Sequence, residues 1–509
     1  MKTGIGNFLR ALSSLCLVLV AAAAAAEPAY TVTSEPAELL RLPEPRLPDV
    51  SGYTRAAIEA KIDTRRRATV SVRKMLGHPA MQQFIGSDNN LAEWVRRQHG
   101  MPQAIFIEGG YINLADLAKK LAGTPYWRKT ESGAHLARLP IVVAHGATLH
   151  IGEETRELRL SQERGAFLVN DGRLFIVGSR VTAWREADNS PARFRRPAEF
   201  RPFLIFWGGT ETYIADSVIT SFGYDKSKSY GISISQYPPG QIRAMKREEP
   251  SGWIVGAEFI DMWYGFYCYE TRGFVIKDSI YRDNIVYGID PHDRSRGLII
   301  AGNTARGTKK KHGIIVSREV NDSFIFNNIS HGNRLSGIVV DRSSTNNLLA
   351  GNEVRGNQSD GITIYESANN LLWGNRAIGN ARHGIRVRNS ENVRLYENFV
   401  ADNGMYGIYG HMKDLSGSGR DIALDPFETK MSLTVVGGKI GDNGSGPISI
   451  EAPFKAELYR IDIRMPGKEI NPFSGGVFST HMAEILDLLV RQRKAVLVTP
   501  REENGGVRQ

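Results

Sequence analysis

The clearest pattern of hydrophobic and polar positions in this chain is a glycine followed by an apolar residue, which recurs at nearly constant spacing. Each interval holds two or three runs of three to five β-favouring residues, which are too short for pairs of helices. The spacings are 23, 25, 24, 24, 23 and 23 residues, between Gly265, Gly288, Gly313, Gly337, Gly361, Gly384 and Gly407. This period predicts an all-β fold, a parallel β-helix. A leucine-rich repeat is the alternative, but it needs leucines at fixed offsets where this chain carries Ile, Val and Asn.

Asparagines recur with the same period as the glycines. In a solenoid whose coils stack about 4.8 Å apart, residues at equal offsets lie over one another. Each side-chain amide can then donate to the next coil and accept from the previous one. We therefore expect two asparagine ladders in the solenoid. Their members are Asn303, Asn328, Asn352, Asn375 and Asn398 in one, and Asn333, Asn357, Asn380 and Asn403 in the other.

The N-terminal quarter of the chain differs from the repeats. Residues 1–26 have a basic start, a short apolar run and a cut after Ala26, which is typical of a signal peptide. A membrane anchor is the alternative, although the apolar run is short for a span. Residues 27–135 are predicted as a Pro- and Glu-rich linker, 27–50, followed by a mostly helical cap or accessory region in which Asn113 is a helix N-cap.

The C-terminal boundaries follow from where the regular pattern stops. Residues 136–411 are predicted as the β-helix catalytic domain, and 412–509 as an irregular β segment with a capping helix that begins at Ser479 or Thr480. Helical caps at both ends would cover the strand edges that an open solenoid exposes.

Charge and cysteine content restrict the partner and the compartment. The chain has 64 basic and 54 acidic residues, and loss of residues 1–26 removes two basic ones, which leaves 62 against 54, a net charge of +8. This excess suits a polyanion, and export favours an acidic polysaccharide over nucleic acid. Cys268 is the cysteine that remains after the predicted cut, so an intrachain disulfide is excluded, and an exported protein without disulfides fits a bacterial periplasm.

One repeat breaks the pattern, at Tyr287–Ser295, which reads Tyr-Gly-Ile-Asp-Pro-His-Asp-Arg-Ser. His292 can accept a proton near neutral pH, and Arg318, one coil later, can neutralise a carboxylate. Together they match removal of the proton beside a sugar carboxylate, because a cation on the carboxylate stabilises the enolate-like intermediate. Their offsets from the repeat glycine differ by one, so the site requires the strand to end or turn there, and Pro291 should disturb strand pairing.

The outer face of this strand is predicted to carry an elongated site. The second and fourth residues after each glycine are expected to face solvent, so Asp290 shares a face with His292, and seven coils at about 4.8 Å give a row roughly 30 Å long. Such a row suits a polymer better than a small molecule. The candidate substrate-binding residues along it are Asp293, Lys309, Lys311, Asp341, Arg342, Tyr365 and Arg388.

Tyr287–Ser295 resembles the signature of the periplasmic mannuronan C5-epimerases of bacterial alginate synthesis. The resemblance covers most of the chain, and is strongest from Trp253 to Lys413. It implies a right-handed β-helix that converts β-D-mannuronate to α-L-guluronate within the polymer. It also implies that His292 is the proton acceptor, that Arg318 neutralises the carboxylate and that water reprotonates carbon 5 from the opposite face.

The resemblance carries further expectations. Tyr287 and Asp290 match positions that line the site in that family, and the family implies membership of a periplasmic alginate export complex. Secreted relatives carry glycine-rich calcium-binding nonapeptides, and this sequence has none, so neither a metal nor a cofactor is predicted. Two alternatives stay open from the residues alone. One is a uronate polysaccharide lyase on the same fold, and the other is a non-catalytic polysaccharide-binding β-helix.

Overall fold

The computed structural model describes residues 30–40, 42–84, 90–423, 425–464 and 471–501, and the predicted signal peptide 1–26 lies outside them. Three long, mostly parallel sheets run the length of the molecule, and the chain visits each sheet once per coil. The fold is a parallel β-helix, as predicted. Its buried Ile, Val and Leu side chains form one continuous core between the three sheets.

Sheet 1 begins and ends with segments from opposite parts of the sequence. The N-terminal strand Tyr30–Glu35 pairs antiparallel with Ala495–Pro500, which in turn pairs antiparallel with Lys455–Tyr459. In spatial order its strands are Tyr30–Glu35, Ala495–Pro500, Lys455–Tyr459, Ser432–Val436, Val393–Tyr396, Leu371–Trp373, Leu348–Ala350, Phe324–Phe326, Ile299–Ala301, Val275–Lys277, Ser251–Val255, Glu211–Ala215, Arg173–Val177, Ala147–Ile151 and Gly110–Asn113.

Sheet 2 contains the repeat glycines and the unusual repeat. Its strands, in spatial order, are Thr69–Lys74, Gln103–Glu108, Ile141–Val143, Leu168–Asn170, Leu204–Phe206, Gly231–Ile234, Tyr264–Tyr269, Tyr287–His292, Ile314–Ser317, Ile338–Asp341, Ile362–Tyr365, Ile385–Arg388, Tyr406–His411, Gly446–Ile450 and Phe473–Ser474.

Sheet 3 closes the coil. Its strands are Asp462–Arg464, Lys439–Gly441, Phe399–Ala401, Arg376–Ile378, Glu353–Arg355, Ile329–His331, Thr304–Arg306, Ile280–Arg282, Glu258–Ile260, Val218–Thr220, Arg180–Arg185, Glu157–Ser161, His135–Ala137 and Trp127–Lys129, with Ser190–Pro191 paired to Arg180–Arg185. The three sheets continue past both predicted boundaries of the segment 136–411, so those domain limits stay a prediction.

Helices occupy the ends and a few loops of the solenoid. The α-helices of the described residues are Arg55–Glu59, Pro79–Gln82, Asn90–Gln98, Leu114–Lys120, Pro239–Met245, Gly476–Thr480 and Met482–Leu486, and there are short turns of 3₁₀-helix at Ala37–Leu39 and Met75–Gly77 and of π-helix at Asp487–Arg491. None of these helices is both long enough and apolar enough to cross a bilayer.

The predicted asparagine ladders are confirmed. In the first, Asn303, Asn328, Asn352 and Asn375 each donate through Nδ2 to the Oδ1 atom of the next asparagine, at 2.9–3.0 Å. The second runs from Asn333 and continues beyond Asn403 to Asn443. All of these side chains are buried, so each coil satisfies the amides of its neighbour without water.

The repeat glycines are explained by the same ladder. A Cβ atom on Gly361 would lie 2.6 Å from the carbonyl oxygen of Gly384 and 2.8 Å from Nδ2 of Asn380. On Gly288 it would lie 2.4 Å from the carbonyl oxygen of Gly313. A side chain at these positions would push the coils apart, so the glycine and asparagine periods describe one packing constraint.

Both ends of the solenoid have helical caps. At the N-terminal end, Asn113 accepts a hydrogen bond from the backbone of Asp116 at 2.7 Å, as predicted, and the helix Leu114–Lys120 buries its apolar face in the core. At the other end the predicted helix start at Ser479 or Thr480 is wrong, because the helix that carries Met482 and Ile485 is Met482–Leu486, and a separate helix, Gly476–Thr480, precedes it. Gly475 has φ 89°, which turns the chain directly from strand into helix.

The expectations for residues 27–135 are partly wrong. The segment predicted as a linker, 27–50, contains the strand Tyr30–Glu35, which pairs at the C-terminal end of the solenoid. The chain then returns along sheet 1, where Val50 packs on Ala350 and its neighbours. Residues up to 135 are not mostly helical. Strands such as Gln103–Glu108 extend the sheets into this region, and they contain about as many residues as its α-helices do.

Candidate active site

The strand Tyr287–His292 ends in a turn that places its last side chain beside the next coil. His292 lies in register with Ser317, and the pairing between these two strands skips Pro291, as its missing donor predicts. Asp293 and Arg294 have φ of 29° and 58°, and Arg318 has φ of 61°. The strand therefore turns directly after His292. This turn accounts for the difference of one between the offsets of His292 and Arg318 from their repeat glycines, and it leaves Arg318 beside Asp293.

Asp293 connects the two predicted catalytic residues. Its Oδ2 atom lies 2.8 Å from Nδ1 of His292, and its Oδ1 atom lies 3.8 Å from a guanidinium nitrogen of Arg318. Burial lowers the pKa of His292, but the carboxylates of Asp293 and Asp290 outweigh it and leave that pKa raised. Asp293, predicted as a substrate-binding residue, is thus engaged with both members of the site.

Asp290 lies on the same side of the strand as His292 but is only 2 % exposed. Burial raises its pKa to about 7, although His292 and Lys311 oppose the shift. Its Oδ1 atom is buried without a hydrogen-bond partner among the described residues. The expectation that this column faces solvent is wrong here, because tyrosines pack around the carboxylate.

Three tyrosines surround this carboxylate. Tyr287 forms an edge-to-face pair with Tyr264 at 5.1 Å, and its hydroxyl accepts a hydrogen bond from Lys311 at 3.1 Å. The ring of Tyr267 lies 5.8 Å from that of His292. Burial is the main cause of the raised pKa values of all three tyrosines, and Asp290 adds to it. Tyr264 and Tyr267 were missed by the sequence analysis, although they occupy the columns of Tyr287 and Asp290 in the preceding coil.

A cavity of about 260 Å³, lined by three arginines and three acidic residues, lies beside the turn that carries Arg318. Arg342, one coil further, is 3.5 Å from Asp425 and 3.7 Å from Asp341. The cavity lining consists of Asp293, Arg294, Arg318, Glu319, Arg342, Ser343 and Asp425. The arginines of this cavity are candidate partners for a carboxylate close to His292. Asp425 belongs to a loop whose position no repeat pattern indicates.

The remaining predicted residues lie along the same face, with one exception. Asp341 accepts a hydrogen bond from the Ser317 hydroxyl at 3.2 Å, and burial raises its pKa. The guanidinium of Arg388 lies 4.0 Å above the ring of Tyr365. Lys309 instead points to Asp261, at 3.3 Å. Lys311 is in the site and Lys309 is directed away from it.

The middle of the face carries no charged side chain in the three coils that follow Asp290. In the column of Asp290 the following coils present Ile315 and Val339, which are 6 % and 2 % exposed, and then Thr363, which is fully buried. Over these three coils the column forms an uncharged floor, which we call the groove, and it continues into Arg386 in the next coil. Within the described residues, no group of three or more His, Cys, Asp or Glu side chains is arranged to hold a metal ion.

Comparison with known proteins identifies the family. The chain is 58% identical over 502 residues to the mannuronan C5-epimerase of Pseudomonas putida, which covers 96% of both chains. It is 60% identical over 476 residues to the mannuronan C5-epimerase of Pseudomonas aeruginosa, with 94% of this chain and 88% of that protein covered. The chain belongs to the mannuronan C5-epimerase family.

The structural match agrees with this family. The crystal structure of the periplasmic alginate epimerase AlgG superposes with a TM-score of 0.81 and 55% identity, and covers 83% of this chain and all of that one. A family model described as periplasmic copper-binding protein (NosD) matches residues 242–419, which are the regular coils. In this mannuronan C5-epimerase family member, the unusual repeat and the groove lie within those coils.

Proposed function

We propose that this periplasmic protein epimerises mannuronate residues within polymeric alginate at carbon 5, and that His292 and Arg318 carry out the reaction. The single observation that supports these roles most is the turn at Asp293, which brings an imidazole and a guanidinium together at one end of an open groove. Alginate is polyanionic, and the net positive charge of the chain and the arginines in the cavity both favour it.

His292 is the proposed proton acceptor. Asp293 lies at Nδ1, so it favours the tautomer with a proton on that nitrogen and leaves the lone pair of Nε2 for the substrate. The proton at carbon 5 is weakly acidic while the adjacent carboxylate is charged. Arg318 neutralises that carboxylate and stabilises the enolate-like intermediate, an effect worth about 2.7–4 kcal/mol per donor. Return of a proton from water on the opposite face completes the inversion.

The neighbouring groups have supporting roles in this proposal. In its ionised form, Asp290 helps to raise the pKa of His292. Tyr287 and Lys311 line the side of the site, with the ammonium 3.1 Å from the hydroxyl. Arg342 is placed to bind the carboxylate of an adjacent sugar. Because Lys309 is directed to Asp261, the proposal places Lys311 rather than Lys309 at the substrate.

The groove beyond the site would bind further sugars. Asp341, Tyr365 and Arg388 line its continuation across the next coils, where the cation of Arg388 rests on an aromatic ring. Membership of a periplasmic alginate export complex stays a prediction that the family resemblance supports. The segment predicted as a signal peptide agrees with that compartment.

Product analysis in heavy water tests the proposal. Polymannuronate incubated with the protein should yield guluronate that carries deuterium at carbon 5, as followed by NMR. Guluronate that forms without solvent deuterium would contradict the proton-transfer mechanism. Unsaturated, UV-absorbing chain ends without guluronate would indicate the lyase, and unchanged polymer that still binds would indicate a binding protein.

A further inference from the structure

Two connections that leave sheet 2 near the site are long: residues 235–250, which contain the helix Pro239–Met245, and the connection that follows the strand Tyr406–His411. The other strands of sheet 2 near the site join sheet 1 through short turns, such as residues 293–298 and 389–392. After the strand Tyr406–His411 the chain instead makes an excursion, residues 412–431, before sheet 1 resumes at Ser432. We call the described residues of this segment, 412–423 and 425–431, the return loop, because it folds back toward the active site across earlier coils.

The base of the return loop is fixed by one asparagine. Asn389 donates to the carbonyl oxygens of Lys413 and Glu428, at 2.8 and 2.7 Å, and its Oδ1 atom accepts from the backbone of Lys413. These bonds hold both ends of the loop to the turn of a preceding coil. The Asn389 side chain is fully buried, so the loop base has a defined position.

Farther out, an ion-pair network holds the loop on the groove. Arg420 pairs with the buried carboxylate of Glu366, which Arg388 also contacts at 2.8 Å. Arg420 also contacts Asp425 at 2.8 Å and donates to the carbonyl oxygen of Pro426 at 2.9 Å. This network places the Asp425 carboxylate at the cavity that Arg318 lines.

Asp425 contacts Arg342, the cation that is proposed above to bind the carboxylate of the adjacent sugar. Its Oδ2 atom lies 3.5 Å from Arg342, and the two side chains are 33 % and 34 % exposed, so the pair is open to competition from a ligand. A uronate carboxylate and the Asp425 carboxylate have the same charge and the same geometry toward a guanidinium. Both cannot occupy that position on Arg342 without repulsion.

We propose that Asp425 holds the place of a substrate carboxylate on Arg342 in the free protein, and that the incoming polymer displaces it. The proposal rests on the function proposed above and adds a residue that sets affinity for the sugar next to the reacting one. Asp425 weakens binding by competition, which limits how tightly the anionic polymer is held between successive reactions. It acts as a positioning residue through Arg342 and does not touch the reacting atoms.

The decisive variant is Asp425→Asn, which removes the charge and keeps the shape. We expect KM for polymannuronate to fall about two- to fivefold, the range for a partly exposed ion pair, with kcat not increased. The effect should shrink as salt is added, because screening weakens exposed charges. Glu319→Gln is the matched control, because it also removes an acid from the cavity wall, but that acid makes no ion pair with Arg342 among the described residues.

A double-mutant cycle separates competition from a structural effect. If Asp425 acts through Arg342, the Asp425→Asn effect on affinity should vanish in an Arg342→Gln background. An unchanged effect in that background would overturn the proposal, as would a KM that rises or stays constant in the single variant. A fall in KM of the same size in Glu319→Gln would indicate only general electrostatics and would also overturn it.

Direct binding keeps this test independent of the reaction. Affinity of polymannuronate, measured by calorimetry in a His292→Asn background, reports displacement of Asp425 without turnover. Tighter binding in the Asp425→Asn variant supports the proposal even if the His292 assignment fails. Equal binding with and without the Asp425 charge contradicts the proposal even if the epimerase reaction is established.

Discussion

The carboxylate of Asp293 lies 2.8 Å from Nδ1 of His292, and the same carboxylate lies 3.8 Å from Arg318 in the next coil. One acid therefore places its charge beside both the proposed base and the cation proposed to neutralise the substrate carboxylate. The backbone turn at φ 29° makes this arrangement possible, because it directs Asp293 across the coil boundary instead of along the strand. The two predicted catalytic residues are coupled through a residue that the sequence analysis assigned only to substrate binding.

This relationship predicts a pH shift in the Asp293→Asn variant. A general base works in its neutral form, so kcat/KM rises with pH through the pKa of His292. The Asp293 carboxylate raises that pKa, and its removal lowers it. The rising limb of the pH–rate profile should therefore move to lower pH, and kcat should fall because the imidazole loses its orientation.

An NMR titration of the His292 ring in the same variant provides the matching measurement. Asp290→Asn should shift the pKa in the same direction, since Asp290 also raises it. Glu270→Gln is a suitable control, because Glu270 pairs with Arg294 and not with the imidazole. An unchanged or higher pKa in Asp293→Asn would contradict the assigned role.

A second prediction concerns the cation. Arg318→Gln should reduce kcat by about 10²–10³-fold, the usual loss when one donor to a developing charge is removed. The melting temperature should stay within the error of the wild type, because the side chain is 49 % exposed and its one ion pair is long. Arg376→Gln, on sheet 3, is the control for loss of an exposed arginine. Near-normal turnover in Arg318→Gln would remove that residue from the mechanism.

The parts of the fold that could be predicted are those fixed by repetition. Each Asn of the ladder and each repeat glycine is required again in the next coil, so a single packing constraint appears many times in the sequence. Because residues at equal offsets lie over one another, the repeat would also have identified Tyr264 and Tyr267, which lie one coil before Tyr287 and Asp290.

What could not be predicted depends on single events in the chain. The left-handed backbone at Asp293 decides where the carboxylate points, and no period encodes it. Asp425 reaches Arg342 from a loop that leaves the solenoid three coils later. The pairing of Tyr30–Glu35 with Ala495–Pro500 joins segments more than 450 residues apart, for which the repeat gives no signal.

A third prediction concerns stability. Asn352 accepts from the backbone and the side chain of Asn328, so Asn352→Leu would remove the partner of the buried backbone N–H and one of the two partners of the side-chain amide. We expect the free energy of unfolding to fall by about 1–3 kcal/mol for each buried group that loses its partner. Urea denaturation measures the change. Glu353→Gln, on the surface next to Asn352, should change it by less than about 0.5 kcal/mol. Equal stability of the two variants would show that the ladder contributes little.

The last prediction concerns the N-terminal strand, which closes the far end of the molecule. Val32 pairs with Val498 and packs on the core, while its neighbour Thr33 is exposed. Val32→Asp would put an unpaired charge against apolar side chains and should release this strand. Amide hydrogen exchange should then accelerate in Ala495–Pro500 and in Lys455–Tyr459, which rely on that edge. Thr33→Asp places the same charge in the same strand on the solvent side, so its exchange pattern should match the wild type.

Two outcomes of the exchange measurement would contradict this role of the N-terminal strand. Protection that persists in Val32→Asp would mean that the C-terminal coils are stable without the N-terminal strand. Uniform loss of protection along the solenoid would mean that the strand stabilises every coil rather than the last ones.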